Sequence, residues 1–260
     1  MRALIVLAAS ALLLSRTTVA ADTHPLPALC RQEAPLVRKL WLDNLYDAPA
    51  AIDALMVDAI DGKLPQARRQ LAQLKTADMA RWRQTAMLTA AYAGQATVVE
   101  GLLDDGAAVD GAGWIPAMKD RFYRQTLNNM KHDPRFGGPH AVKALSAAGV
   151  ITNQRQPIGP AIIVAADCGD VATLDVLLRH HANLRWRLTP HSADALVLAT
   201  VHGDASFVQR LLDHGADPCA DDRFIQSRKP GVSLATIGQH SGLPASLTRR
   251  LSCPAVAAVQ

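Results

Sequence analysis

The chain has 260 residues, with 27 Lys and Arg against 23 Asp and Glu and a formal net charge of +4. So mild an excess does not indicate the concentrated cationic face that nucleic-acid binding requires, and we predict no nucleic-acid partner. A chain of this length can form one large domain or an elongated array of repeats.

Residues 1–20 have the order of segments found in a secretory signal peptide. A basic start is followed by the apolar run Ala3–Leu14 and then by small residues up to Ala20. The run is short for a bilayer span, so we predict cleavage after Ala20 or Ala21 and no stable membrane insertion afterwards. Loss of this leader leaves 25 basic against 23 acidic residues. We therefore expect a periplasmic or secreted protein.

Residues 21–50 predict a helix that caps the first unit of the array that follows. Leucines recur along the segment Arg31–Tyr46, at Leu36, Leu40, Leu42 and Leu45. Trp41 lies in the same segment, and we predict that its ring belongs to the hydrophobic core.

Residues 51–260 contain a self-similar unit of about 33 residues. In the clearest copies, small residues precede a glycine, which is followed by an apolar pair and then by two leucines. The glycine recurs at Gly62, Gly94, Gly137, Gly169, Gly203 and Gly242. The leucines move in step, at Leu71, Leu102, Leu103, Leu145, Leu177, Leu178, Leu211, Leu212 and Leu251. One helix pair cannot close a core alone, so neighbouring units must stack.

In this pattern the sequence resembles the ankyrin repeat family, from about Ala51 to Cys253. The stretch Thr85–Leu88 comes closest to the Thr-Pro-Leu-His opening of that family. The resemblance implies an all-α ankyrin-repeat solenoid of about six helix-turn-helix units with an N-terminal capping helix. Thr85, Asp194 and Ser233 share one register, in which each can accept a backbone N–H as a helix N-cap.

The third unit departs from the pattern. Pro134 falls where its first helix should continue, and proline inside a helix costs about 3 kcal/mol. We therefore predict a helix that starts early, near Pro116, and ends before Pro134, followed by a loop through Phe136–Gly138. Its apolar face should consist of Met118, Phe122, Leu127 and Met130.

The triplet Arg-Trp-Arg occurs twice, around Trp82 and around Trp186. In the ankyrin-like register, Trp82, Trp114 and Trp186 lie in the connections between units, which form fingers on one side of the stack. The resemblance implies that partners bind the fingers and the adjoining first helices. It points to these partner-binding residues: Trp82, Arg83, Trp114, Arg185, Trp186, Arg187, His191 and His202. The alternative is that each ring packs flat on a neighbouring finger beneath arginine stems.

The sequence lacks the common catalytic and metal-binding motifs, namely Gly-x-Ser-x-Gly, the Walker loop, His-Glu-x-x-His and Cys-x-x-Cys. His180 and His214 share a register on successive second helices, but helices about 8–10 Å apart do not share one zinc without bridging ligands. We therefore predict no enzyme, no metal site and no cofactor. The rival hypothesis is a metal- or small-ligand-dependent enzyme in which residues 111–136 form a lid. Its polar pocket would lie near Lys131, His132, Asp133 and Arg135.

Four cysteines in an exported chain permit disulfides. Cys219 and Cys253 follow the second helices of the last two units, so we predict that they are bonded, the alternative being two free thiols. Cys30 and Cys168 are several units apart in the expected stack, and we expect no bond between them.

The function that these features predict is non-enzymatic recognition of a protein partner by an exported repeat array. One possibility is an immunity or inhibitor protein that blocks a toxin in the envelope. Another is an accessory protein that supports an enzyme there. The sequence leaves this choice, and the identity of the partner, open.

Overall fold

The computed structural model describes residues 26–132, 139, 140, 143, 153–187, 193–226 and 231–253. The predicted signal peptide lies outside these ranges, as do His191 and the predicted loop through Phe136–Gly138. No helix within the described ranges is both long enough and apolar enough to cross a membrane.

The elements named within the described ranges are a single N-terminal helix, five helix pairs and two insertions. The single helix is α1 (Leu26–Leu42). The pairs are α2 (Ala50–Ile60) with α3 (Leu64–Ala72), α4 (Thr76–Tyr92) with α5 (Ala96–Asp104), α7 (Ala161–Cys168) with α8 (Val171–Arg179), α9 (Ala195–His202) with α10 (Ala205–Asp213), and α12 (Leu234–His240) with α13 (Ala245–Arg250). One insertion, after the second pair, contains β1 (Gly113–Ile115), α6 (Asp120–His132) and β2 (Gln156–Ile158). The other, after the fourth pair, contains α11 (Pro218–Gln226).

The five pairs stack into a solenoid. The first helices of successive pairs, α2, α4, α7, α9 and α12, pack side by side, and the second helices, α3, α5, α8, α10 and α13, do the same. This arrangement confirms the predicted all-α repeat solenoid. The predicted third unit is wrong, because α4 packs directly on α7 and α5 packs directly on α8. The described stack therefore has five units, and β1, α6 and β2 lie outside it.

Helix caps explain where some first helices begin. The side chains of Asp194 and Ser233 each accept the backbone N–H three residues further on, as predicted for N-caps. Thr85 is not a cap, because α4 begins at Thr76 and runs through this position. Its hydroxyl instead donates to the carbonyl of Arg81 at 3.1 Å.

Small residues set the spacing between neighbouring units. The pairs Ala90–Ala91 in α4 and Ala165–Ala166 in α7 are fully buried, as close packing of these helices requires. Gly203 joins α9 to α10 with a φ of +70°. A Cβ atom at this glycine would collide with the backbone carbonyl of Ser241 in the next unit. The turn glycine therefore satisfies both a left-handed backbone and a close inter-unit contact.

The described residues between 113 and 158, here called the excursion, include two short strands that the sequence did not predict. The strands pair antiparallel, with Gly113 opposite Ile158, and β1 packs against α4. A Cβ atom at Gly113 would lie only 2.6 Å from a methyl carbon of Leu88 in α4. Glycine therefore allows β1 to lie directly on the stack, which sets where the excursion leaves it.

Helix α6 agrees in part with the prediction for the third unit. It ends at His132, before Pro134, but it begins at Asp120 and not near Pro116. Met130 is buried, as predicted for its apolar face. Met118 precedes the helix and forms an isolated antiparallel bridge with Tyr46. This bridge ties the excursion to the segment that follows α1.

Helix α1 does more than cap the first unit. It packs on α2, α4 and α7, the first helices of three successive units. Trp41 is 2% exposed, which confirms its predicted place in the core, and its ring centroid lies 4.3 Å from that of Tyr46. The Arg38 guanidinium binds the carboxylate of Asp61 at the end of α2 and lowers the pKa of that carboxyl to about 2. These contacts hold α1 along the first-helix side of the stack.

Both pairs of cysteines form disulfides. Cys219 and Cys253 are bonded as predicted, with Cα atoms 5.4 Å apart. Cys30 and Cys168 are also bonded, with Cα atoms 5.5 Å apart, so the expectation that they would not bond is wrong. The reason is that α1 lies across three first helices and that α7 belongs to the third stacked unit, which brings Cys168 within reach. Two disulfides are typical of a protein from an oxidising compartment.

Candidate functional site

Trp82 is not in a finger. It lies in the first half of α4 and is only 7% exposed, so its predicted position in an exposed connection is wrong. On a helix, adjacent residues point about 100° apart, so flanking arginines do not prevent the ring from facing the core. The Arg81 guanidinium lies 4.6 Å from the ring centroid and covers it from outside. Trp82 is therefore a packing residue covered by an arginine, which is the alternative to a binding residue given above.

The finger that follows α5 is held by a residue that the sequence reading missed. Gln84, buried in α4, donates to the carbonyls of Ala108 and Gly111 at 3.0 and 2.8 Å. Its side-chain oxygen accepts the N–H of Ala108 at 2.9 Å. Its signal in the sequence is an amide side chain on an otherwise apolar helix face, since a buried amide must find backbone partners. Gln84 thus positions the connection that leads to β1.

Trp114 is the exposed aromatic of the site. It lies in the middle of β1, opposite Pro157 of β2, and is 40% exposed. The Arg155 guanidinium lies 4.9 Å from the ring centroid, within the range of a cation–π contact. Gly113 and Ile158, on the other face of the ribbon, are buried. The strand geometry therefore presents Trp114 outward with one arginine beside it, and Arg155 is a second residue that the sequence reading missed.

Trp186 is intermediate between these two cases. It is half-buried, and its backbone N–H donates to the carbonyl of Asn183 at 3.2 Å. A Cβ atom at Gly159, just beyond β2, would lie 3.7 Å from the ring and the same distance from Ile163. The ring therefore rests beside the end of the β1–β2 ribbon, with part of its surface left open.

The two arginines that flank Trp186 have different environments. Arg185 is exposed and binds the carboxylate of Asp217 at 2.8 Å. Arg187 is largely buried and binds Asp194 at 3.0 Å and Asp221 at 2.6 Å. Arg187 therefore ties the finger to the cap of α9 and to α11, whereas the Arg185 pair lies at the solvent boundary.

Two carboxyl groups meet at Arg187. Asp194 and Asp221 are both buried, and they share a hydrogen bond. Burial, followed by the hydrogen bond and the charge of Asp194, raises the pKa of Asp221 to about 8, although Arg187 opposes the shift. The Asp194–Asp221 pair therefore retains one proton at neutral pH, so that a single arginine balances one charged carboxylate.

His202 and Arg83 are both partly buried, and each lies on a first helix. His202 ends α9, and its ring nitrogen lies 3.2 Å from the carboxylate of Asp167 in α7. This contact links the first helices of two adjacent units. Arg83 is half-buried in α4, and its Nε has no hydrogen-bond partner among the described residues. His191 lies outside the described residues.

The residues of the rival enzyme hypothesis are only partly described. Lys131 and His132 are exposed at the end of α6, where the His132 ring lies 2.7 Å from the carbonyl of Asn128. Asp133 and Arg135 lie outside the described residues. Within the described ranges, no three His, Cys, Asp or Glu side chains are grouped so that they could hold a metal ion.

The stacked helix pairs define an all-α repeat solenoid. No protein-family model matches the sequence, and no curated protein matches it. The structure is similar to the crystal structure of the ankyrin repeat domain of human ASB11, with 16% sequence identity and a TM-score of 0.45. The similarity covers 76% of this chain and 66% of that domain.

Proposed function

We propose that this protein recognises a protein partner through its finger surface and has no catalytic role of its own. The observation that carries the proposal is Trp114, a large apolar ring 40% exposed on β1 with the Arg155 guanidinium beside it. Tryptophan and arginine are the residue types most enriched at the energetic centres of protein interfaces.

The position of α1 supports this choice of surface. Partners of a repeat solenoid can bind the fingers or the exposed side of the first helices. In this chain, α1 already packs on the first helices of three units and is bonded to α7 through Cys30. The fingers of these units therefore offer a partner more free surface than their first helices do.

The proposed contact surface has Trp114 and Trp186 at its centre. Its further members are Arg83 on α4, Arg185 and His191. We assign Trp82, Arg187 and His202 a supporting role. Trp82 is buried, Arg187 is engaged by two carboxylates, and the His202 side chain is 7% exposed and lies against Asp167.

We further propose that the protein acts in the periplasm or after secretion. The signal-like residues 1–20 and the two disulfides support this location. Within it, both an immunity or inhibitor role and an accessory role remain compatible with the proposed surface. The product of the neighbouring gene is the first partner to test for either role.

A cross-linking experiment tests the proposal. A photo-reactive amino acid at position 114 should capture one dominant protein in the envelope of the native host, and mass spectrometry identifies it. The double variant Trp114→Ala with Trp186→Ala should then weaken binding of that purified protein by at least about 2 kcal/mol, or roughly thirtyfold.

The matched control replaces exposed apolar residues away from the fingers. Leu42 on α1 and Val201 on α9 are about half exposed, at 54% and 50%. The double variant Leu42→Ala with Val201→Ala should bind the partner as well as the wild type does. Equal losses in the two double variants, or no dominant cross-link at position 114, would contradict the proposal.

A further inference from the structure

The cations of the stack and those of the excursion differ in their pairing. Ten of the described lysines and arginines outside the excursion lie within 4.0 Å of a carboxylate: Arg38, Lys39, Lys63, Arg68, Arg81, Arg179, Arg185, Arg187, Arg210 and Arg250. Residues 113–132 and 153–158 of the excursion carry four exposed lysines and arginines, Arg121, Arg124, Lys131 and Arg155. None of these four has a carboxylate partner among the described residues. The stack balances most of its charge internally, whereas the excursion does not.

Three of the unpaired cations lie on one side of α6. Arg121, Arg124 and Lys131 are spaced by three and seven residues, which places them along one helix face. All three are exposed, whereas Met130 of the same helix is 1% exposed. Met130 faces inward, and the three cations lie on the exposed side of α6, where another molecule can reach them.

The fourth cation is held next to the start of this helix. The Asn153 amide donates to the carboxylate of Asp120, the first residue of α6, at 2.6 Å. Arg155 follows two residues later and lies over Trp114. Arg121 in turn lies over the ring of its neighbour Phe122, with 4.3 Å to the centroid. Cations and aromatic rings are thus interleaved near the start of α6.

We propose that this surface, here called the cationic face (Arg121, Arg124, Lys131 and Arg155 with Trp114), binds an acidic segment of the protein partner. The proposal rests on the proposed function and adds the chemical class of the ligand. Unpaired like charges on a rigid surface repel one another, and carboxylates of a partner relieve that repulsion while they steer its approach. Trp114 supplies the apolar anchor that fixes the complex once it has formed.

Two other anionic ligands fit the surface less well. An amphipathic helix that binds membranes needs an exposed apolar face, but the apolar residue Met130 of α6 is buried against the protein. Nucleic-acid binding draws on six to ten phosphate contacts in typical duplex complexes, roughly twice what four cations can supply. An acidic peptide needs only a few carboxylates and a side chain to pack on Trp114.

The test uses the mature chain and a fluorescein-labelled peptide of alternating Glu and Leu residues with one central Tyr. Fluorescence anisotropy should show binding that weakens as the salt concentration rises. The triple variant Arg121→Glu, Arg124→Glu, Arg155→Glu should bind at least tenfold more weakly, and Trp114→Ala should also bind more weakly. Circular dichroism and the melting temperature establish that both variants remain folded.

The matched control makes the same change of net charge on the stack. Arg69, Lys75 and Arg249 are exposed and have no carboxylate partner among the described residues. Their triple replacement by Glu should change the peptide affinity less than twofold. Equal losses in the two triple variants would mean that net charge alone attracts the peptide, and the inference would fall.

Vesicles that contain phosphatidylglycerol and a 20-base-pair DNA duplex serve as competing probes. One of these probes could bind more tightly than the peptide and lose this binding in the triple variant Arg121→Glu, Arg124→Glu, Arg155→Glu. The ligand of the cationic face would then be a lipid surface or a nucleic acid and not an acidic protein segment. No binding of the peptide, while the cross-linked partner still depends on Trp114 and Trp186, would overturn this inference and leave the proposed function intact. If the peptide binds but no partner is captured at position 114, the proposed function is contradicted, whereas the preference of the cationic face for acidic ligands stands.

Discussion

Cys30 in α1 is bonded to Cys168 at the end of α7, although 138 residues separate them in the sequence. The bond fastens the N-terminal helix across the first helices of three units. A cross-link that closes so long a loop restricts the unfolded chain strongly, by about 5 kcal/mol in the chain-entropy model. This disulfide therefore stabilises the first half of the stack as one body.

Replacement of both cysteines, Cys30→Ser with Cys168→Ser, should lower the free energy of unfolding by about 2–5 kcal/mol. Urea denaturation followed by circular dichroism measures this loss. The variant Cys219→Ser with Cys253→Ser is the comparison, because its loop spans only 34 residues and joins α11 to the end of the last unit. A larger loss in this second variant would show that α1 is held mainly by its apolar contacts.

Trp82→Ala should destabilise the protein by about 3–5 kcal/mol, because it removes a large buried ring. Trp114→Ala should change the free energy of unfolding by less than about 0.5 kcal/mol, because that ring is exposed on β1. Thermal and urea unfolding of the two single variants test the contrast directly. Similar losses in both would mean that Trp114 is also a packing residue, which would weaken the proposed binding site.

The buried carboxyl of Asp221 should make stability depend on pH. Its pKa is about 8 in the folded protein, against about 4 in an unfolded chain. Between these values the folded state binds more protons, so the free energy of unfolding falls as the pH rises from about 4 to about 8. The stabilising contribution is complete below pH 4 and is lost as the pH passes through 8. Asp53, whose pKa burial raises to about 6, acts in the same direction at lower pH.

The variant Asp221→Asn isolates this contribution, because an amide stays neutral at every pH. Between pH 5 and pH 8 the free energy of unfolding of the wild type should fall by more than about 1 kcal/mol relative to that of this variant. Guanidinium denaturation of both proteins at the two pH values gives the difference. Asp217→Asn, at the exposed Arg185 pair, is the control and should follow the wild type. If the wild type and Asp221→Asn differ in free energy of unfolding by the same amount at both pH values, Asp221 is already ionised at pH 5.

Gly203→Ala and Gly242→Ala should lower the free energy of unfolding by different amounts, although both glycines have a positive φ. At Gly203 a methyl group would meet the carbonyl of Ser241, whereas at Gly242 it would meet open space. We expect losses of about 2–4 kcal/mol at Gly203 and about 1–2 kcal/mol at Gly242, the latter from backbone strain alone. Urea denaturation ranks the two variants, and equal losses would mean that the contact between the two units relaxes easily.

The protein isolated from its native host should begin at Ala21 or Asp22 and fractionate with periplasmic or secreted markers. N-terminal sequencing and cell fractionation check both points. Recovery of the full-length chain from the cytoplasm would contradict export and, with it, the oxidising environment that the two disulfides require.

Local features of the sequence were sufficient to predict the helix pairs. The glycines at Gly94, Gly169 and Gly203 and the leucines that follow them act within one unit, so their spacing marks each turn and the buried side of each second helix. The cap at Asp194 is also local. The Cys219–Cys253 bond was predictable because both cysteines closely follow second helices of neighbouring units, whose register the repeat defines.

Contacts between distant segments decided the rest. The sequence around Trp82 reads as a connection, but α4 extends back to Thr76, where the ring packs in the core. The glycine spacing suggested a unit at Gly137, yet α4 packs directly on α7 and the excursion leaves the stack. The path of α1, and with it the Cys30–Cys168 bond, depends on which apolar surface the first helices leave uncovered. No periodicity encodes that surface, because it exists only after the units have stacked.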